Sequence, residues 1–158
     1  MHNAREHGEP QPKKEEVIPM LEEARMVLPG IQALFGFQLV AVLSSGFEHL
    51  SHNHRLMHFL SLLANVTAIA LIMAPAAYHR LAEEWSASAR FMRISSRLIA
   101  WAMIALMIAL ATEVVLIGDV LFESWLIDWA LGTALISLLG GLWFLWPLAS
   151  RRGARKYD

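Results

Sequence analysis

Long apolar intervals divided by short polar ones set the first reading of this chain. The run PGIQALFGFQLVAVLSSGF covers residues 29–47, close to the roughly 20 residues that cross a bilayer core as a helix. LMHFLSLLANVTAIALIMAPAAY follows at 56–78, a third run covers 94–120, and WLIDWALGTALISLLGGLWFLWPL occupies 125–148. A helix packed on one side and wetted on the other needs a polar stripe. The third run has none, because Trp101, Met103, Ile104, Leu106, Met107, Ile108 and Leu110 surround its axis. The pattern predicts an all-α integral membrane protein with four transmembrane helices in a bundle. Before the first run, Val17, Leu21, Ala24 and Leu28 recur at helical spacing among Glu15, Glu16, Glu22, Glu23 and Arg25. That spacing predicts a short amphipathic interfacial helix over 14–28, which could dock on the bundle or on a partner. The expected organisation is a disordered tail at 1–13, this helix, a membrane domain at 29–150 and a basic tail at 151–158.

Charge orients the bundle. Of the 13 lysines and arginines, all but Arg55 fall in the amino-terminal segment, in the stretch Arg80 to Arg97, or after the fourth run. Positive residues stay on the cytoplasmic side, so both termini and the middle connection are expected there. Glu48, Asp119, Glu123, Asp128 and the histidines mark the opposite rim. Trp125 and Trp129 at one end of the fourth run, and Trp143 and Trp146 at the other, fit interfacial belts. A net charge of -1 gives no reason to expect nucleic acid. The absence of cysteine excludes disulfides, thiolate ligands and thiol nucleophiles.

The runs EARMVLPGIQALFGFQL (23–39) and LIMAPAAYHRL (71–81) resemble an uncharacterised family of small bacterial inner-membrane proteins, with the resemblance extending over most of 20–120. It rests on Pro29, Gly30, Gln32, Phe35, Phe37, Pro75, Tyr78, His79 and Arg80. The resemblance implies four spans and a multi-pass protein of the bacterial inner membrane, and it brings no catalytic residues. Some members carry the label sodium:proton antiporter, yet this chain has neither duplicated halves nor a pair of broken helices.

Within the apolar runs, polar groups are costly and therefore informative. Glu113 lies in the third, Gln38 in the first, Asn65 and Thr67 in the second, with Thr112 beside the carboxylate and Thr133 in the fourth. An ionised carboxylate facing acyl chains is very unfavourable, so Glu113 is expected to face protein, near Gln38, Asn65 and Thr112. Two readings follow: interhelical hydrogen bonding that fixes the packing, which is preferred, or proton or cation passage with Glu113 as the exchanging group.

The stretch GFEHLSHNHRLMHF supplies Glu48, His52, His54 and His58 between the first two runs. Imidazoles with a carboxylate can titrate as a pH-sensitive cluster or hold zinc, nickel or copper weakly. No recognised metal spacing is present, and the preferred reading is a solvated turn. At the other rim, Tyr78, His79 and Arg80 read as an interfacial anchor, with a proton relay at His79 as the sharper reading. Ala64 with Ala68, Ala105 with Ala109 and Gly132 with Gly140 offer close-approach surfaces, within the bundle or between copies.

No nucleophile constellation is visible, so no enzyme is expected, and no cofactor. The leading expectation is a structural or accessory membrane protein, with lipid as solvent and a homodimer, larger homo-oligomer or other membrane protein as partner. The alternative is a proton or monovalent-cation transporter or channel using Glu113.

Overall fold

The computed structural model describes residues 14–82 and 89–154. Helix α1 spans Lys14–Val42, a single turn α2 spans Ser45–Glu48, α3 spans His52–Ala82 and α4 spans Ala89–Phe122. Helix α5, Trp125–Gly140, passes through a π-helical turn at Gly141–Leu145 into α6, Trp146–Ala154. The tail expected at 1–13 and residues 155–158 of the basic tail expected at 151–158 lie outside the described residues, as do the side chains of Val17, Leu21 and Ala24.

Three segments are long and apolar enough to cross a membrane: His52–Tyr78, Arg90–Phe122 and Trp125–Ser150. The apolar part of α1, Met26–Val42, is shorter. The chain is a small helical membrane protein. Its outer surface supports this, because only 6% of the apolar window in Trp125–Ser150 is buried within the chain. Water would not tolerate so continuous an apolar face.

Helix boundaries differ from the sequence pattern in two places, each for a local reason. The segment 14–28 does not form a separate helix but runs through Pro29 into the first apolar run. Glu, Leu, Ala, Arg and Met in that segment favour helix, and no polar break separates the two parts. At the other end α1 stops at Val42 instead of reaching residue 47. Leu43 and Ser44 bond back to the carbonyls of Val40 and Ala41 at 3.1 Å, and Ser44 Oγ donates to Ala41 O at 2.7 Å. That hydroxyl competes for backbone acceptors, and extended Ser44 then opens α2.

Neighbouring helices pack in the order α1, α3, α4, α5, with the α3–α4 pair most extensive. Its antiparallel register runs from His54 opposite Asp119, through Ser61 opposite Ala109, to Tyr78 stacked on Phe91. Small side chains allow this approach: Ala68, Ala102 and Ala109 are essentially inaccessible. Ala68 and Ala102 join Ile31, Ile72 and Leu106 in an apolar core, against which Trp143 leans.

The α4–α5 crossing depends on glycine. A Cβ on Gly132 would meet Val115 Cγ2 at 2.7 Å, and one on Gly118 would meet Asp128 Oδ1 and Leu131 Cδ1 at 3.0 Å. Gly140, by contrast, has nothing within 4 Å of that position, so it marks no close approach among the described residues. Between α4 and α5, Glu123 adopts φ 49° and its N–H bonds Asp119 O at 3.0 Å. This left-handed residue ends α4 and lets α5 turn back along it.

Candidate functional site

Most of the residues that sequence pattern alone reads as a wet turn belong to a helix. Ser51 Oγ accepts the His54 N–H at 3.2 Å and Ser51 O accepts the Arg55 N–H at 3.1 Å. A serine there caps a helix, so α3 begins at His52 and His54 and His58 share one face a turn apart. That face looks into the bundle. His54 Nε2 meets Asp119 Oδ2 at 2.5 Å, and His58 Nδ1 lies 3.1 Å from Glu113 Oε1 and 3.4 Å from Oε2.

The inner pair is held by three helices. His58 is 4% exposed, and its Nε2 lies 3.0 Å from the backbone carbonyl of Gln38 on α1. A carbonyl only accepts, so Nε2 carries a hydrogen. Gln38 Nε2 donates to Glu113 Oε1 at 2.9 Å and to Ser61 Oγ at 2.8 Å. Its Oε1 accepts from Asn65 Nδ2 at 2.8 Å, and Ser61 Oγ donates to Ala109 O at 3.0 Å. Asn65 Oδ1 is buried without a hydrogen-bond partner.

These directions fix where a proton must lie. With Nε2 committed to a carbonyl, His58 Nδ1 contacts a carboxyl group. If both were bare, lone pairs would face one another. The contact is a hydrogen bond only when one proton lies between them, on imidazole or on carboxyl. By helix rise Glu113 is about 14 Å from the end of α4, so this proton sits well inside the apolar layer. Phe47, on the short α2, closes edge-on over the His58 ring at a centroid distance of 5.4 Å. Beyond Asn65, the way towards the opposite end is blocked by Ile31, Ala68, Ile72, Ala102 and Leu106.

The outer pair extends the polar line to the bundle end. Asp119 contacts His54 and lies near Asp128, a buried residue in the first turn of α5.

Other residues singled out from the sequence lie elsewhere. Thr67 is exposed and donates to Leu63 O of its own helix at 2.8 Å, the usual backbone bond of a threonine that lacks an interhelical partner. Thr112 turns from Glu113 towards α5, because successive helical residues point about 100° apart. Glu48 and His52 remain exposed, so they do not join His54 and His58. Among the described residues, no group of three histidine, aspartate or glutamate side chains could hold a metal ion. Tyr78 stacks on Phe91 at 5.8 Å while Arg80 is exposed; the His79 side chain lies outside the description. Sequence reading missed Ser61, an undistinguished serine, and the inward turn of His58. The available signal was the serine cap at Ser51.

A family model described as a family of unknown function (DUF6328) matches residues 13–147, a span that holds every residue of both pairs. No match was found among curated proteins or among solved structures.

Proposed function

The chain belongs to this family of unknown function, and from its site we propose that it carries protons through the membrane by way of the His58–Glu113 pair. One observation carries the reading: a buried histidine nitrogen lies 3.1 Å from a glutamate oxygen deep between α3 and α4. An acid kept only for packing could be satisfied by the amides of Gln38 and Asn65. Here its partner is the side chain best suited to exchange a proton near neutral pH. Intramembrane ionisable residues mark ion pathways by default.

Asp119 and His54 form the approach to the pair from the rim. Gln38 holds Glu113 in place, and Phe47 covers the route. The apolar core beyond Asn65 keeps the other route closed, so passage requires α3 and α4 to separate around Ala68 and Ala102. Pro75 lies in α3 on that side, where its missing N–H weakens the helix. The proposal includes no catalytic reaction. We take α1 as a short fourth span, both termini as cytoplasmic and the membrane as a bacterial inner membrane.

Sealed proteoliposomes holding a pH-sensitive dye, with an imposed membrane potential, provide the test. Wild type should acidify the lumen faster than empty vesicles, and Glu113→Gln should fall to the empty-vesicle rate while remaining folded. Equal rates in wild type, Glu113→Gln and empty vesicles would leave only the packing role. Flux that follows sodium and ignores the proton gradient would reassign the ion.

A further inference from the structure

A second feature lies at the opposite end of α4. Phe91, Ser95 and Ala102 are buried along one side of that helix, and Phe91 stacks on Tyr78 of α3. These contacts fix the helix rotation. At about 100° per residue, Arg90, Arg93 and Arg97 then point roughly 100–160° away from Phe91, and all three are exposed. Trp101 and Ile108, 62% and 52% exposed, continue the same side towards the middle of the helix. Among the described residues, no carboxylate pairs with any of the three arginines. The outer side of α4 thus carries unpaired guanidinium groups, then an indole, then an aliphatic side chain.

We propose that Arg90, Arg93, Arg97 and Trp101 form a site for an anionic phospholipid, with its phosphate on the arginines and its acyl chains along Trp101 and Ile108. Helix length places the arginines at the right depth. Arg90–Phe122 has 33 residues, about 50 Å of helix, against a hydrocarbon core of about 30 Å. The excess is about 20 Å for the two ends together. Arg90 to Arg97 covers about 10 Å, so the stripe occupies the headgroup layer of one leaflet. A planar guanidinium offers paired donors to phosphate oxygens, and an indole suits the boundary between headgroup and hydrocarbon.

Charge and shape together select this occupant. A zwitterionic lipid brings an ammonium group against three positive charges that no carboxylate offsets, so it fits poorly. A free phosphate would satisfy the arginines but leave Trp101 and Ile108 uncovered. Only an anion carried on hydrocarbon meets both halves of the stripe, each at its own depth. The site is separate from the His58–Glu113 pair and does not rest on proton passage. It requires only that α4 crosses the bilayer.

Native mass spectrometry of delipidated full-length protein tests this, with phosphatidylglycerol and phosphatidylcholine of identical acyl chains titrated separately. Phosphatidylglycerol should bind more tightly by about tenfold or more. The double variant Arg93→Gln/Arg97→Gln should weaken it by about 25-fold, about fivefold for each basic residue near the membrane surface. Arg93→Lys/Arg97→Lys keeps the charge and should stay within about fivefold of wild type. Arg151→Gln/Arg152→Gln removes the same charge from the carboxyl-terminal tail and should bind within about twofold of wild type. The arginines of the stripe are exposed, so their variants keep the helix packing, which an unchanged melting temperature would verify. Equal affinity for the two lipids, or equal affinity of wild type and Arg93→Gln/Arg97→Gln, would overturn the proposal. So would equal weakening by the tail variant, which would show an effect of net charge alone. Displacement of the lipid by glycerol phosphate at matching concentration would show that the free anion suffices, and would overturn the lipid as occupant.

Discussion

Gln38 uses its whole amide: both hydrogens are donated, to Glu113 and Ser61, and its oxygen accepts from Asn65. This accounting predicts how Glu113 variants behave. In Glu113→Gln the new amide can donate to His58 Nδ1 while its oxygen still accepts from Gln38, reproducing the pair with its proton on the acid. The loss of stability should be below about 1 kcal/mol, as hydrogen-bond pairing is kept. Glu113→Leu strands His58 Nδ1 and one Gln38 hydrogen in the bundle, and should cost about 2–4 kcal/mol. Thermal unfolding in one detergent would compare the two, and a leucine variant as stable as the glutamine variant would contradict the bonding scheme. Sequence reasoning could pick out Glu113, Gln38 and Asn65 because polar groups inside apolar runs are conspicuous. It could not pair them with His58, because grouping that histidine with the rim residues His52 and His54 ignores that position 58 lies inside the second run. Nor did Thr112 and Thr67 announce their directions. Neighbours in sequence point to different helix faces, and a threonine can satisfy itself on its own backbone.

Helices show the same division between what pattern reveals and what packing decides. The three long apolar runs after the first lie close to their expected limits, since a bilayer imposes length and apolarity directly. Helix α1 does not, because good helix formers ahead of Pro29 carry the helix through it and extended Ser44 ends the span early. Close approaches are harder to read, since glycine looks the same at Gly132 and at Gly140. Only at the first would a Cβ strike a neighbour, the γ-methyl of Val115 at 2.7 Å. Valine is stiff about χ1, so Gly132→Ala must push α5 from α4. It should cost about 1–3 kcal/mol, whereas Gly140→Ala should leave stability unchanged or slightly improved. Equal melting temperatures for the two variants would contradict this crossing. At the α4–α5 turn, Glu123 holds φ 49°, a conformation costing a non-glycine residue roughly 1–2 kcal/mol. Glu123→Gly should stabilise the fold by about 0.5–1 kcal/mol once glycine's greater freedom when unfolded is subtracted.

For the molecule as a whole, the decisive question is which end of the bundle faces which compartment, because it sets the direction from which a proton reaches His54. The basic residues cluster at the end carrying Arg80, Arg90, Arg93 and Arg97, and at the termini. His54, Asp119 and Asp128 gather at the other end, where Arg55 is the lone basic residue. On the proposed orientation, with positive charge retained in the cytoplasm, His54 and Asp119 would lie on the outside, and an external proton would meet them before the inner pair. The arrangement requires α1 to cross even though its apolar part, Met26–Val42, is the shortest. If α1 lay along the surface instead, the amino terminus and the carboxyl terminus would face opposite sides. The chain has no cysteine, so single cysteines introduced at His52, Ser124, Arg90 and Asp158 report without background. In intact cells a membrane-impermeant maleimide should label His52→Cys and Ser124→Cys. Arg90→Cys and Asp158→Cys should react only after permeabilisation. A cysteine at Asn3 then decides the fate of α1: protection in intact cells means that it crosses, and labelling means that it does not. Protection is the expected result, because Gln38 on α1 reaches Glu113 on α4 at 2.9 Å. Since Glu113 sits about 14 Å inside the end of its helix, a helix lying flat on the membrane surface could not make that contact.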